Sequence, residues 1–104
     1  MTIVHFFHKD FERCKIFDMH LRNISKKHTE TKFASLDAEK APFFVTKLQI
    51  QVLPTIICFY NGVATDRVVG FEELGGKDEF PELLLVRRLI NSGCLDALNK
   101  KEKG

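Results

Sequence analysis

Hydrophobic and polar positions in this chain fall into short runs whose period switches between two and three-to-four. Residues 3–7 (I-V-H-F-F) are dense in β-branched and aromatic side chains and predict a buried strand over residues 2–7. Over residues 11–26 the apolar positions Cys14, Phe17, Leu21 and Ile24 recur at intervals of three and four, the helical period, with Asp10 as the expected N-cap. Lys26, Lys27 and His28 then fall in the last turn, where cations suit the helix dipole. Residues 32–36 alternate and predict a second strand ending at Asp37. Ala41-Pro42 opens a short helix with inward Phe44, Val45 and Leu48, proline occupying the first turn where no N–H is needed. An apolar run over residues 55–60, the turn Asn61-Gly62 and residues 63–69 form a hairpin of the type I′ kind. After the breaks at Gly70, Gly75 and Gly76, Asp78 is expected to cap a last helix over residues 79–90. Its inward face is Leu83, Val86, Leu89 and Ile90, and Gly93 stops it.

The order is therefore β-α-β-α-β-β-α, an α/β domain with two parallel strands joined by a crossover helix and an antiparallel hairpin behind them. Two local features sharpen this. F-E-R-C-K (Phe11 to Lys15) stands where the first strand hands over to its helix, and V-L-P-T (Val52 to Thr55) opens the third strand. A strand, a turn, a helical cysteine and then a Pro-Thr strand resemble the thioredoxin fold. The expectation is a mixed sheet of about four strands flanked by helices, with that fold's usual N-terminal strand and helix missing because Met1 directly precedes the first core strand. Residues 1–92 are read as this domain, cut short at its N-terminus, and 93–104 as a tail. A thioredoxin-like turn normally reads C-x-x-C; here Phe11 stands at the first position and Cys14 at the last. One thiol cannot cycle as a dithiol, so the scaffold reads as kept and the redox reaction as lost.

Composition narrows the classes without changing this. At 104 residues the chain supports one core. A net charge of +2 makes no case for nucleic acid, and Lys100, Lys101 and Lys103, interrupted by Glu102, read as a solvated terminus. No apolar run approaches the roughly 20 residues of a membrane span. The cysteines at 14, 58 and 94 form no close sequence pair and no metal-ligand spacing, and their odd number suits a reducing, intracellular setting. Cys58 reads as a small buried hydrophobe.

Cys14 is the first candidate for chemistry. In the first turn of a helix, between Arg13 and Lys15, a thiolate would be stabilised, giving a reactive single thiol able to form a mixed disulfide with a partner or with glutathione. The competing reading, that Cys14 packs in the core beside Phe17 and Leu21, weighs more because free cysteines are commonly buried and inert. Leu53-Pro54-Thr55 is the second candidate. A cis proline there would turn the backbone outward to pair with an extended peptide; a trans proline would merely start an edge strand. Four histidines (His5, His8, His20, His28) do not make a metal site, since strand alternation sends His5 and His8 to opposite faces and no second ligand pair follows. No paired carboxylates, nucleophile elbow or phosphate loop occurs, and no cofactor is expected. Among ten phenylalanines, Phe11 and Phe71 fall in or near turns and are the ones expected at the surface, as part of a partner patch with Arg13, Leu53, Pro54 and Thr55.

The strings H-F-F-H-K-D-F-E-R-C-K-I, L-D-A-E-K-A-P-F, K-L-Q-I-Q-V-L-P-T and V-V-G-F-E-E-L-G-G-K-D-E-F are more specific than a lone Pro-Thr, and over residues 3 to about 90 the chain is similar to the phosducin-like proteins. That resemblance implies a cytoplasmic co-chaperone. Its partner would be the ring-shaped cytosolic chaperonin that folds actin and tubulin, with no enzymatic role of its own. Against an ordinary thioredoxin, His5 stands where the buried aspartate would be and Phe7 where a tryptophan would be, so several parts of the exchange machinery differ together. The opposing hypothesis is a single-thiol redox protein or sensor acting through Cys14. Monothiol enzymes keep the exposed first cysteine, and here only the second remains, which favours the interaction module. The open sheet edge left by the missing strand would permit dimerisation.

Overall fold

A computed structural model describes residues 1–96 of the chain. Four strands, β1 (Thr2–Phe7), β2 (Lys32–Asp37), β3 (Thr55–Tyr60) and β4 (Val63–Val69), form one sheet in the order β2-β1-β3-β4. β1 and β2 run parallel, with His5 opposite Ser35; β1 and β3 run antiparallel, with Phe6 opposite Thr55; β4 returns antiparallel to β3. Among the described residues three α-helices, α1 (Glu12–Ser25), α2 (Pro42–Lys47) and α3 (Glu82–Asn91), and two short 3-10 turns (Ala38–Lys40 and Glu72–Leu74) complete the mixed, helix-flanked fold. Asn61 and Gly62 both have positive φ (50° and 81°), as a type I′ turn demands.

Strand alternation divides the core in two. Ile3 points with Phe17, Leu21 and Ile24 of α1 and Leu85 and Leu89 of α3 into the larger cluster, joined by Phe71, Leu74, Phe80, Cys94 and Leu95. Phe6, Ile57 and Ile50 pack on the opposite face with Val45 and Leu48 of α2 and with Leu53. α1 and α3 thus cover one face and α2 the other. Cys94 and Leu95 belong to the core although they follow α3; residues 97–104, with Lys100, Lys101 and Lys103 of the expected tail, lie outside the described residues.

Several local expectations are corrected. Asp10 is not the cap of α1: the helix begins at Glu12, and the N-cap Phe11 offers no side-chain hydrogen bond. α1 ends at Ser25, so His28 leaves the helix altogether, and its buried ring meets Glu30 at 3.1 Å. The last helix starts three residues later than expected, with Pro81 as N-cap. The residue before a proline is steered away from the α region, so Phe80 cannot continue a helix into Pro81. Asp78 is thereby released from capping. Within α3 the innermost residues are Leu85 and Leu89, flanked by half-buried Val86 and Ile90, whereas Leu83 is exposed. Leu83 lies two residues, about 200°, from Leu85 and so faces away. In α2, Phe44 is exposed for the same reason, one residue out of phase with Val45. Gly93, at φ 81°, closes α3: its N–H donates to Ile90 and that of Cys94 to Leu89.

Candidate functional site

The pairing of Phe6 with Thr55 places the C-terminal end of β1 and the start of β3 at the same end of the sheet. The turn carrying Phe11 and the loop carrying Pro54 therefore open on one edge of the domain. In the turn, the Phe11 N–H donates to the His8 carbonyl at 3.0 Å, and the Phe11 ring stacks on the His8 imidazole with centroids 4.7 Å apart. This stack holds an aromatic side chain at 45% exposure at the mouth of α1. One turn on, Cys14 is only 3% exposed, and its sulfur accepts the His8 N–H at 3.4 Å. Burial pushes the Cys14 thiol up, and the His8 N–H offsets part of that rise. Cys14 is buried, but it lies outside both core clusters and lines the cavity between β1 and α1 instead of packing among the core residues around Phe17 and Leu21.

The Leu53-Pro54 peptide bond is cis. Pro54 and Thr55 are buried and Leu53 is half-buried, while Val52 immediately before them is exposed. The Thr55 hydroxyl donates to the Val52 carbonyl, and the Pro54 carbonyl accepts the Gly70 N–H at 2.9 Å. Gly70, with φ 59°, takes a conformation that few side chains tolerate, which lets the end of β4 reach back to this loop.

Phe71 is not at the surface. It is 1% exposed, stacked on Phe17 at 4.7 Å and edge-on to Phe80 at 5.2 Å. The turn that contains it folds inward because an apolar ring of this size is worth more inside the core than outside. What covers it is Arg13, whose guanidinium sits 4.8 Å from the ring centroid and donates to Asp78 Oδ1 at 2.7 Å and to the Gly76 carbonyl at 3.1 Å. Of the sequence candidates, Phe11 and Arg13 therefore present side chains to solvent here. Leu53, Pro54 and Thr55 shape the loop from within, and Phe71 is scaffold.

Three features escaped the sequence. His5 and His8 line one cavity of about 320 Å³ between β1 and α1, together with Cys14, because the strand ends at Phe7 and alternation no longer governs His8. Among the described residues no group of side chains there could hold a metal ion. Cys58 and Cys94, remote in sequence, are neighbours inside the core; burial raises the Cys58 thiol first and the Cys94 neighbour adds to it. Asp66, Arg88 and Ser92 form a buried-edge clamp in which Arg88 Nη1 donates to Asp66 Oδ2 and the Ser92 hydroxyl to the same oxygen, each at 2.8 Å. Only polar residue types hinted at this last pairing, with nothing in their spacing to join them.

With this geometry in place, similarity to known proteins can be stated. The family model described as Thioredoxin matches residues 1–85. Thioredoxin domain-containing protein PLP3B of Arabidopsis thaliana is 51% identical over 101 residues, covering 97% of this chain and 44% of that protein. Phosducin-like protein 3 of Dictyostelium discoideum is 52% identical over 95 residues, 91% of this chain and 52% of that protein. Thioredoxin domain-containing protein 9 of Bos taurus is 47% identical over 98 residues, 94% and 42% respectively. The chain thus spans about half the length of these curated relatives. In three dimensions, mitochondrial thioredoxin 3 of Saccharomyces cerevisiae superposes with a TM-score of 0.70 at 14% identity, over 86% of this chain and 76% of the other. Oxidised thioredoxin of Plasmodium falciparum gives 0.70 at 24%, over 89% and 80%.

Proposed function

Since this chain belongs to the thioredoxin family, as a phosducin-like thioredoxin domain, we propose that it is a docking module without dithiol activity, a co-chaperone domain that engages the cytosolic chaperonin and acts on actin and tubulin folding in the cytoplasm. The single observation that carries this reading is the inversion at the mouth of α1. An aromatic ring, Phe11, faces solvent where a thiol exchanger would present sulfur, and Cys14, three residues on, is buried. An exposed aromatic at the end of the sheet that also carries an exposed Val52 suits a protein surface better than an electron-pair donor does. No helix among the described residues is long and apolar enough to cross a membrane. The domain expected over residues 1–92 extends through Leu95, which packs in the core with Cys94, and pairing of two copies along β2, the edge strand of the sheet among the described residues, is a secondary mode.

The test is direct binding of purified cytosolic chaperonin to the immobilised chain under reducing conditions. Wild type and Cys14→Ser should retain equal amounts, Phe11→Asp should retain several-fold less, and none should catalyse disulfide reduction of insulin. Chaperonin lost with Cys14→Ser but kept with Phe11→Asp would overturn the reading in favour of single-thiol chemistry.

A further inference from the structure

We propose that two copies of this chain pair antiparallel along β2 about a two-fold axis through Ser35, which runs one sheet through both copies and sets Asp18 of each α1 against Arg22 of the other. This arrangement rests on the edge pairing put forward as a secondary mode and adds to it a register and a second contact.

The backbone of β2 has a fixed phase. The Lys32 N–H donates to the Met1 carbonyl at 3.0 Å, so Lys32, and with it Ala34 and Leu36, turn their backbone groups toward β1. Phe33, Ser35 and Asp37 turn theirs outward, where no strand stands among the described residues. Two identical edge strands that pair antiparallel keep their sheet faces aligned, and opposite residues share a face, so the two-fold axis passes through a residue. With the axis at Ser35, Ser35 meets Ser35 of the second copy and Phe33 meets its Asp37. The N–H of every outward-facing residue then gains an acceptor. With the axis at Ala34, Asp37 would stand opposite Thr31, whose N–H is already given to the His28 carbonyl at 3.3 Å. The Ser35 register is the fuller one.

Charge favours a second copy as the occupant. β2 begins at Lys32 and ends at Asp37, so an antiparallel copy lays the positive end of each strand along the negative end of the other. The opposite edge, β4, carries Asp66 and Arg67 at its centre, a charged edge of the kind that resists pairing. On the α1 side of the sheet, Ser35 lines a cavity of about 210 Å³ together with Phe33, Asp18 and Arg22. The axis through Ser35 therefore passes beside the flank of α1 that carries both charges. Rotation about it sets α1 antiparallel to its copy, with Asp18 of each toward Arg22 of the other. Within one chain these two side chains pair at 2.7 Å while 40% and 77% exposed, so both stay within reach of a second partner. The second copy joins two exposed ion pairs into one network.

Sedimentation equilibrium of the folded chain over a concentration series, under reducing conditions and low salt, tests the arrangement. Wild type should dimerise. Ser35→Pro removes an outward N–H without touching the bonds to β1 and should weaken the dimer about tenfold or more. Asp18→Arg and Arg22→Asp should each stay monomeric where wild type is dimeric, and mixing the two variants should restore a dimer containing one of each. Ser35→Cys should crosslink to its copy under mild oxidation, because opposite Cα atoms of a hydrogen-bonded pair lie about 5.5 Å apart, whereas Ala34→Cys should not. Wild type that is monomeric at every concentration overturns the edge pairing together with this register and leaves chaperonin docking standing. A dimer that survives Ser35→Pro, crosslinks through Ala34→Cys instead, or ignores both charge reversals overturns this arrangement while the pairing of copies stands. If Ser35→Pro does not fold, the mixed charge variants and the crosslink decide.

Discussion

Arg13 in α1 holds Asp78 across 65 positions of sequence, Nε to Oδ1 at 2.7 Å, while its guanidinium sits over the Phe71 ring, 4.8 Å from its centre. One side chain thus ties the helix mouth to the loop before α3. Arg13→Ala should lower the unfolding free energy by about 1 kcal/mol, because an exposed ion pair and an exposed cation–π contact are each worth a fraction of that. Asp78→Asn should cost less, since the ring contact survives. Urea midpoints of the two variants check the order.

The clamp between β4 and α3 is shielded more deeply at its cationic end. Arg88 Nη1 and Nη2 both reach Asp66, at 2.8 and 3.2 Å, and Nη2 also donates to the Arg67 carbonyl. Hydrogen bonding from Arg88, opposed by burial and assisted by Ser92, holds the Asp66 carboxyl well below the usual carboxylate range. Arg88→Met should cost about 2 kcal/mol, within the range for charge-assisted bonds. The stabilisation from Asp66 is present above its unfolded pKa of about 4 and is lost as pH falls below it, so Asp66→Asn should flatten that acid limb. Acid unfolding followed by circular dichroism separates the two.

His5 shapes a different part of the pH profile. Burial lowers its pKa to about 4, against a weaker opposing pull from Asp18. A histidine held neutral in the folded chain binds fewer protons than in the unfolded one. Stability from this group is therefore complete above about 6.5 and declines as pH falls to about 4, by at most about 3 kcal/mol. His5→Leu should remove the slope in that window. A slope unchanged by the substitution would show that His5 does not set it.

Phe11 and Phe71 were equal candidates for the surface and should behave as opposites. Phe71→Ala empties a site between Phe17 and Phe80 and should cost about 3–5 kcal/mol, as large aromatic truncations in cores do. Phe11→Ala should stay within about 1 kcal/mol, losing only the stack on His8. Thermal melts distinguish these outcomes directly.

Element types and most strand limits were legible in the linear chain because they rest on local periodicity. β1, β3 and β4 coincide with the expected runs, and the positive φ of Asn61 and Gly62 follows from their residue types. The helix starts were less legible. Asp10 and Asp78 are both good capping types, yet one turn is capped by no side chain and the other aspartate is claimed by Arg13. A cap competes with every tertiary partner in reach, and that competition has no signature in spacing.

Local pattern determined the layered α/β architecture, the inward faces of α1 and β3 and the burial of Cys14, since each follows from a period of two or three-to-four matched to one apolar surface. Tertiary structure alone decided that Phe71 goes inside under Arg13, that Cys58 meets Cys94, and that His5, His8 and Cys14 share one cavity. These contacts join residues on different elements, and which pairs meet depends on how helices seat on the sheet, through packing that acts across space and leaves no period along the chain.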